Sequence, residues 1–463
     1  MSSIEDVVYI NGHHHQYMSM ASQDQVSYLG EPLNPYIADY DLDLQARSES
    51  ETRCRYNQEK NHIIKRADWH SQRERRNTQI PTNEYIQNKY RLLRDARQIP
   101  RDMSCRGPDY QTLVDNKVIT EDVNVVVVYQ NTVPEAELGT LPCIFYIHGG
   151  CRLGGTPYSG CLERAREWAT YFNAISVSVE YRLSPNKSDE SPTGEGPTND
   201  CFDALTWVYR QLGTDEDRIL RHGSQTKIVV FGTSSGGGQA SHSGEAYKLR
   251  VWRHLLSLNI VVAASTAMKW CQEQRAGTGR SLGDLYGLIL EAPQLDDRCN
   301  TRSHETFKDG NMFTSGDAIQ GWDASLGVRR GTEHVSIFEA PARASGADVQ
   351  GFPPTYIDVG AVEPFRDEAL TFSNTLRRAK VDVEMNVWNG GFHGFFTADP
   401  HALVSRLCNL TKLKWLCRRL GVQNEHIDNE YEEAKKAYEA RPKEQKGLAA
   451  RGSLQEKTYE VPY

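Results

Sequence analysis

Gly232-Thr233-Ser234-Ser235-Gly236 comes directly after the apolar run Lys227–Phe231 and directly before Gly237-Gly238-Gln239-Ala240. A serine framed this way, between a strand and a helix, stands on a sharp, strained turn with its hydroxyl exposed. Such a turn needs small residues two places before and two places after the nucleophile. Ser234 has Gly232 and Gly236 at those places, whereas Ser235 would have the β-branched Thr233, so Ser234 is the candidate nucleophile. A phosphate-binding reading of the same glycines lacks the lysine of a P-loop. His148-Gly149-Gly150 ends a second apolar run, Pro142–Ile147. Acyl transfer builds negative charge on an oxygen, and each backbone N–H aimed at it contributes roughly 3–4 kcal/mol in the transition state. Gly149 and Gly150 put no side chain between amide and substrate and are candidates for two such donors, with the N–H of Ser235 as a third.

His393 lies in Gly390-Gly391-Phe392-His393-Gly394, after the last strand-like run. In the chain order nucleophile, acid, histidine, it is the candidate general base. The preceding run reaches Asp358-Val359-Gly360, and the loop after it carries both Glu363 and Asp367. Either carboxylate has the chemistry to orient the imidazole and stabilise its charged form.

Residues spread this widely must be brought together by regular elements. Val123–Tyr129, Pro142–Ile147, Ala174–Val179, Lys227–Phe231, Leu285–Ala292, Thr355–Val359 and Val381–Val387 read as strands. Asn199–Leu212 reads as a helix with Phe202, Leu205 and Val208 on one stripe, and Arg366–Lys380 as another with Ala369, Phe372, Leu376 and Ala379. Strands alternating with helices of this length predict an α/β fold, a mostly parallel sheet flanked by helices. Nearer the start, Glu84–Ile99 repeats apolar residues at helical spacing and stops at Pro100. Arg53–Arg76 mixes charges of both signs, as a solvated helix face does. His13-His14-His15 are adjacent and cannot all face one metal ion from a regular element. Beyond Gly421 the chain turns Glu/Lys-rich without an apolar stripe, and its end is expected to be disordered.

The 463 residues carry a formal net charge of −8, which argues against nucleic acid as a partner, because neutralising phosphates needs a basic face. Apolar residues at 38% and charged residues at 25% fit a globular chain. No stretch approaches the roughly 18 uninterrupted apolar residues of a membrane span. The acidic start, Met1-Ser2-Ser3-Ile4-Glu5-Asp6, has no basic region followed by an apolar run, and the end has neither a peroxisomal nor a prenylation signal. The ten cysteines form no Cys-x-x-Cys pair and read as reduced thiols, so the expected address is cytoplasmic.

Together, His148-Gly149-Gly150, Val179 through Pro185, the Ser234 turn, Pro293-Gln294-Leu295-Asp296-Asp297-Arg298, and Gly360 through Asp367 with Gly391 through Phe395 resemble the hormone-sensitive-lipase-like branch of the α/β-hydrolases, over about residues 140 to 400. The resemblance implies the α/β-hydrolase fold with a helical cap, to which the N-terminal helices would contribute. The acid of that family stands three residues after the strand-end glycine, which is Glu363 here, and leaves Asp367 a structural role. Arg182, Asp296 and Asp297 fall on framework positions that hold loops. Three departures stand out. Cys151 replaces a third glycine after His-Gly-Gly, where a side chain narrows the pocket or alters an oxyanion donor. Thr233-Ser234-Ser235 replaces the usual Asp-Ser-Ala. Residues 241–262 read as an insertion, a retained intron slightly more than an extra cap element.

The resulting division is 1–104 as polar segment and cap helices, 105–425 as catalytic domain, and 426–463 as charged tail. The implied function is a serine carboxylic-ester hydrolase acting on a small-molecule ester or lactone, with no metal or organic cofactor. Ser234 attacks, His393 carries the proton, Glu363 orients it, and water resolves the acyl-enzyme. Two readings stand beside it. A ligand-binding module on the same scaffold would lack the catalytic histidine, and His393 is present. An acyl-transferring or amide-cleaving tailoring enzyme would keep the same triad.

Overall fold

The computed structural model describes residues 7–10, 13–16, 95–98, 111–114, 117–120, 123–129, 133, 136–153, 161–185, 191–215, 217–233, 260–277, 282–308 and 313–440. Five four-residue strands come first: β1 Val7–Ile10, β2 His13–Gln16, β3 Asp95–Gln98, β4 Gln111–Val114 and β5 Lys117–Thr120. The remaining strands are β6 Asn124–Tyr129, β7 Leu141–Ile147, β8 Ile175–Glu180, β9 Gly223–Thr233, β10 Gly287–Glu291, β11 Thr355–Val362 and β12 Val383–Phe392. The helices are α1 Cys161–Phe172, α2 Gly196–Gln211, α3 Ile260–Ala276, α4 Arg302–Thr306, α5 Ser315–Leu326, α6 Arg366–Arg378, α7 Phe395–Ala398, α8 Leu403–Leu420 and α9 Glu425–Glu439.

Strands β8, β7, β9, β10, β11 and β12 lie side by side and parallel, and β6 joins β8 antiparallel. The short β3 extends the β6 edge, and β1 with β2 extends the β12 edge. Alternate side chains of each strand point to opposite faces. On β7 and β9, Cys143, Phe145, Ile147, Ile228 and Val230 join the stripe of α2 (Phe202, Leu205, Val208), α3 and that of α6 (Ala369, Phe372, Leu376). Ile144, Tyr146, Val229 and Phe231 face the other way, against Trp168 of α1, Trp415 and Leu416 of α8, and Ile427 of α9. Both faces are therefore covered, as the α/β pattern predicts, and each fully buried Ile or Phe contributes about 1.5–3 kcal/mol.

Several expectations are corrected. Residues 95–98, inside the stretch with helical spacing, form β3, antiparallel to β6; a sheet edge offering unpaired N–H and C=O groups overrides a local spacing. The rest of 84–99, the Arg53–Arg76 segment and residues 441–463 lie outside the described residues, and the described parts of 1–104 are strands, not cap helices. The charged tail does not begin at 426. Ile427, Ala434 and Tyr438 of α9 are buried at spacings of seven and four, a sparse helical stripe. Residues 260–262 belong to α3, with Val261 and Val262 buried, while 241–259 lie outside the described residues. The sequence reading also stopped two strands early: β11 runs on to Val362 and β12 to Phe392.

Helix α6 is tied to the loop after β10 by Glu368, whose Oε1 accepts the Leu295 N–H at 2.8 Å while Oε2 faces His304 Nε2 at 3.3 Å. Burial pushes this carboxyl up to about 7, against the lowering pull of His304. A carboxyl raised on folding binds its proton more tightly in the native state. Its stabilising contribution is thus present below the ordinary carboxyl range and lost as pH rises through about 7. The expected outcome is that urea-unfolding stability falls between pH 5 and pH 8 less steeply in Glu368→Gln than in the parent protein. Equal slopes would contradict this account of Glu368.

Candidate active site

Neighbouring parallel strands deliver the chain to neighbouring points, and β11 and β12 deliver Glu363 and His393. Both side chains are wholly buried, and His393 Nδ1 is in hydrogen-bond contact with Glu363 Oε2. The other carboxylate oxygen, Oε1, accepts the Gly360 N–H at 2.5 Å. With its Nδ1 proton directed at a carboxylate, the imidazole keeps Nε2 as the proton acceptor, the tautomer a general base needs.

Glycines make this meeting possible. A Cβ on Gly360 would stand 2.2 Å from the Gly391 carbonyl oxygen, so the two strand ends approach with no side chain between them. Pairing of β11 with β12 is irregular between Gly360 and Val362, which turns the chain towards Glu363. Gly394 has φ 77°, a left-handed conformation that ends the approach and starts α7. Phe313 and Phe365 flank the imidazole, with ring centroids at 5.0 and 5.3 Å.

Asp367, the other carboxylate open from sequence, is engaged elsewhere. It accepts the Ser303 N–H at 2.8 Å and pairs with Arg366 Nε at 2.8 Å. The framework positions hold loops: Arg182 grips Asp200 through Nε and Nη2, Asp296 pairs with Arg298, and Asp297 takes the Arg343 fork together with the Gly331 N–H.

Gly149 and Gly150 follow β7, whose last residue, Ile147, is in register with Gly232 of β9. The Gly150 carbonyl accepts the Leu153 N–H at 2.8 Å, closing a tight turn, and the Tyr181 hydroxyl donates to the His148 carbonyl at 2.7 Å. Thr233 is the last residue of β9; Ser234 and Ser235 follow it in the chain and lie outside the described residues. Cys151 adopts φ 52°, which explains why a glycine suits this place. Its Sγ is seated where a Cβ on Gly321 of α5 would stand 2.6 Å away, so that helix makes room for the side chain with a glycine of its own. Cys151 then shares a cluster with Phe313, Ala318 and Phe365.

The sequence reading passed over Phe313, Phe365 and Arg152. The Arg152 guanidinium is buried 4.2 Å over the Trp322 ring, and burial lowers its pKa to about 10. A signal for α5 was available in Thr314-Ser315-Gly316-Asp317, which forms a capping box. Among the described residues no cluster of His, Cys, Asp or Glu is placed to hold a metal ion, and no helix is long and apolar enough to cross a membrane.

A family model described as an alpha/beta hydrolase fold matches residues 144–397. The chain is 26% identical to the arylacetamide deacetylase of Oryctolagus cuniculus over 313 residues, 60% of this chain and 75% of that one. It is 24% identical to a 3-O-acetylpapaveroxine carboxylesterase of Papaver somniferum over 268 residues, 56% of this chain and 73% of that one. The solved structure of a bacterial heroin esterase superposes with a TM-score of 0.57 at 24% identity, covering 83% of this chain and 99% of that one, a likeness of fold.

The close approach at Gly360 predicts that Gly360→Ala destabilises the protein by about 2–4 kcal/mol, because the clash is with backbone. Gly346→Ala, where a Cβ would meet nothing within 4 Å, should change stability by less than about 0.5 kcal/mol. Denaturant unfolding of the two variants checks this; equal effects would contradict it.

Proposed function

This chain belongs to the α/β-hydrolase fold family, and we propose that within it the protein is a serine carboxylic-ester hydrolase working through Ser234, His393 and Glu363. The observation that carries the reading is the enclosed His393–Glu363 pair at the ends of the adjacent strands β11 and β12, with β10 alone between β11 and β9. Ser234 follows β9 on the Gly-x-Ser-x-Gly turn.

In this mechanism the Ser234 hydroxyl attacks the acyl carbon as His393 Nε2 takes its proton. Glu363 holds the imidazole by Nδ1 and stabilises the imidazolium that forms. The N–H groups of Gly149, Gly150 and Ser235 receive the oxyanion. His393 then gives its proton to the leaving alcohol, an ester of Ser234 remains, and water activated by the same imidazole releases the acid. Neither the attack nor the release calls for a cofactor.

Small or medium acyl esters, or lactones, are the proposed substrates. Two relatives, one named a deacetylase and one a carboxylesterase of an acetylated compound, support short acyl groups. The Phe313 and Phe365 rings packed against His393 support a small, apolar acyl site. Residues 105 to about 440 are proposed as the catalytic domain, since α9 packs into its core.

Hydrolysis of p-nitrophenyl acetate, butyrate and octanoate should be abolished in Ser234→Ala. Glu363→Gln should lower kcat by about 10³–10⁴-fold, and Asp367→Asn by less than about tenfold. Activity retained in Ser234→Ala, or a greater loss in Asp367→Asn than in Glu363→Gln, would overturn the assignment.

A further inference from the structure

Thr233, Glu291 and Asp358 occupy one row across the sheet: Glu291 of β10 is in register with Thr233 of β9 on one side and with Asp358 of β11 on the other. Registered neighbours of parallel strands point to the same face. That face is covered here by α1 and α8, which bring two cations to the row. Arg164 Nη1 lies 2.8 and 2.6 Å from the two oxygens of Glu291. Lys412 Nζ touches Glu291 Oε1 and stands 3.2 Å from Asp358 Oδ2. The Thr233 hydroxyl donates to Glu291 Oε2. Cys408 Sγ donates to the same Asp358 oxygen, Oδ2, at 3.3 Å.

Glu291, Asp358 and Lys412 are buried. Burial pushes the Glu291 carboxyl up, but Arg164 and Lys412 outweigh it and hold the group below the usual carboxylate range. Replacing such a cluster by apolar residues is often neutral or favourable for stability, so stability alone does not account for it. Its position does bear on the reaction. Thr233 is the residue before Ser234. The same two cations lie over the ring of Phe396, three residues beyond His393, at 5.4 Å for Arg164 and 5.2 Å for Lys412. Asn409, which accepts from Arg164 Nη2 at 3.3 Å, donates to the Phe396 carbonyl at 3.1 Å.

We propose that Glu291 and Thr233 are positioning residues for the reaction: Glu291, clamped by Arg164 and Lys412, takes the Thr233 hydroxyl hydrogen bond and thereby fixes the chain entering the Ser234 turn relative to the loop that carries His393. The inference rests on the reading of Ser234 and His393 as nucleophile and base. Nothing covalent changes at Glu291 or Thr233; both act through the placement of Ser234.

The test compares Thr233→Val, which keeps the shape and removes the hydroxyl, with Thr233→Ser, which keeps the hydroxyl. Readouts are kcat and KM on p-nitrophenyl butyrate, the rate of phosphorylation by diethyl p-nitrophenyl phosphate, and thermal melting. Thr233→Val should lower kcat and the phosphorylation rate by about 10- to 100-fold, with KM within about twofold of the parent, since misplacement by an ångström is costly. Thr233→Ser should bring both rates back to within about threefold. Should Thr233→Val not fold, Thr233→Ala against Thr233→Ser makes the same comparison. A Thr233→Val enzyme as fast as the parent, or a Thr233→Ser enzyme as slow as Thr233→Val, overturns the inference while Ser234→Ala remains inactive. Activity that survives Ser234→Ala overturns the reading of Ser234 and this inference with it.

Discussion

A carboxyl group cut off from water is costly unless hydrogen-bond partners face both of its oxygens. Glu363 is in that position, with the Gly360 N–H on one oxygen and His393 Nδ1 on the other. Much of this end of the molecule follows from meeting that demand. The two strand ends come so close that Gly360 and Gly391 admit no side chain between them. The pairing of β11 and β12 breaks register just there, and Gly394 turns the chain left-handed immediately after His393. Phe313 and Phe365 pack against the imidazole and shield its hydrogen bond to Glu363 from water, which strengthens that bond.

The row beneath the loops meets the same demand at Glu291, whose two oxygens face Arg164, Lys412 and Thr233. Asp358, in contrast, meets Lys412 and Cys408 through Oδ2 alone, and burial pushes its carboxyl up to about 6. Two acids and two bases are enclosed together, so each charge finds an opposite one. Exposed pairs such as Lys308 with Glu305, whose side chains are 61% and 72% accessible, are screened by solvent and contribute little. The buried cluster differs in kind because it fixes direction as well as charge. Arg164 comes from α1, Lys412 from α8, and the acids from two strands, so one arrangement of four elements satisfies it.

What was legible in the sequence had short range and clear period. The stripes of α2 and α6 and the β-branched run of β6 were visible because each repeats on one face. Helix α3, Ile260–Ala276, carries apolar residues around most of its circumference, being packed on several sides, and gives no stripe to read. Helix α9 fails for the opposite reason, since its three buried residues, Ile427, Ala434 and Tyr438, are spread over twelve positions among Glu and Lys. Among the candidate site residues, Ser234, His393 and the glycines stand out through local motifs. Glu363 and Asp367 were indistinguishable by spacing, because the bend after Gly360, which sends one inward and the other to Ser303, is a tertiary effect. Thr233 and Glu291 are 58 residues apart and are joined only by strand register, for which a single sequence carries no signal.

The central claim is that Ser234 is a nucleophile activated by His393. The most direct measurement is mass spectrometry of the protein after reaction with a fluorophosphonate, with the adduct located by fragmentation of the tryptic peptide spanning residues 228–248. The account predicts one adduct per chain, on Ser234, absent after prior denaturation and greatly slowed in His393→Ala. An adduct on Ser235 or another residue, or none on the folded protein, would contradict it.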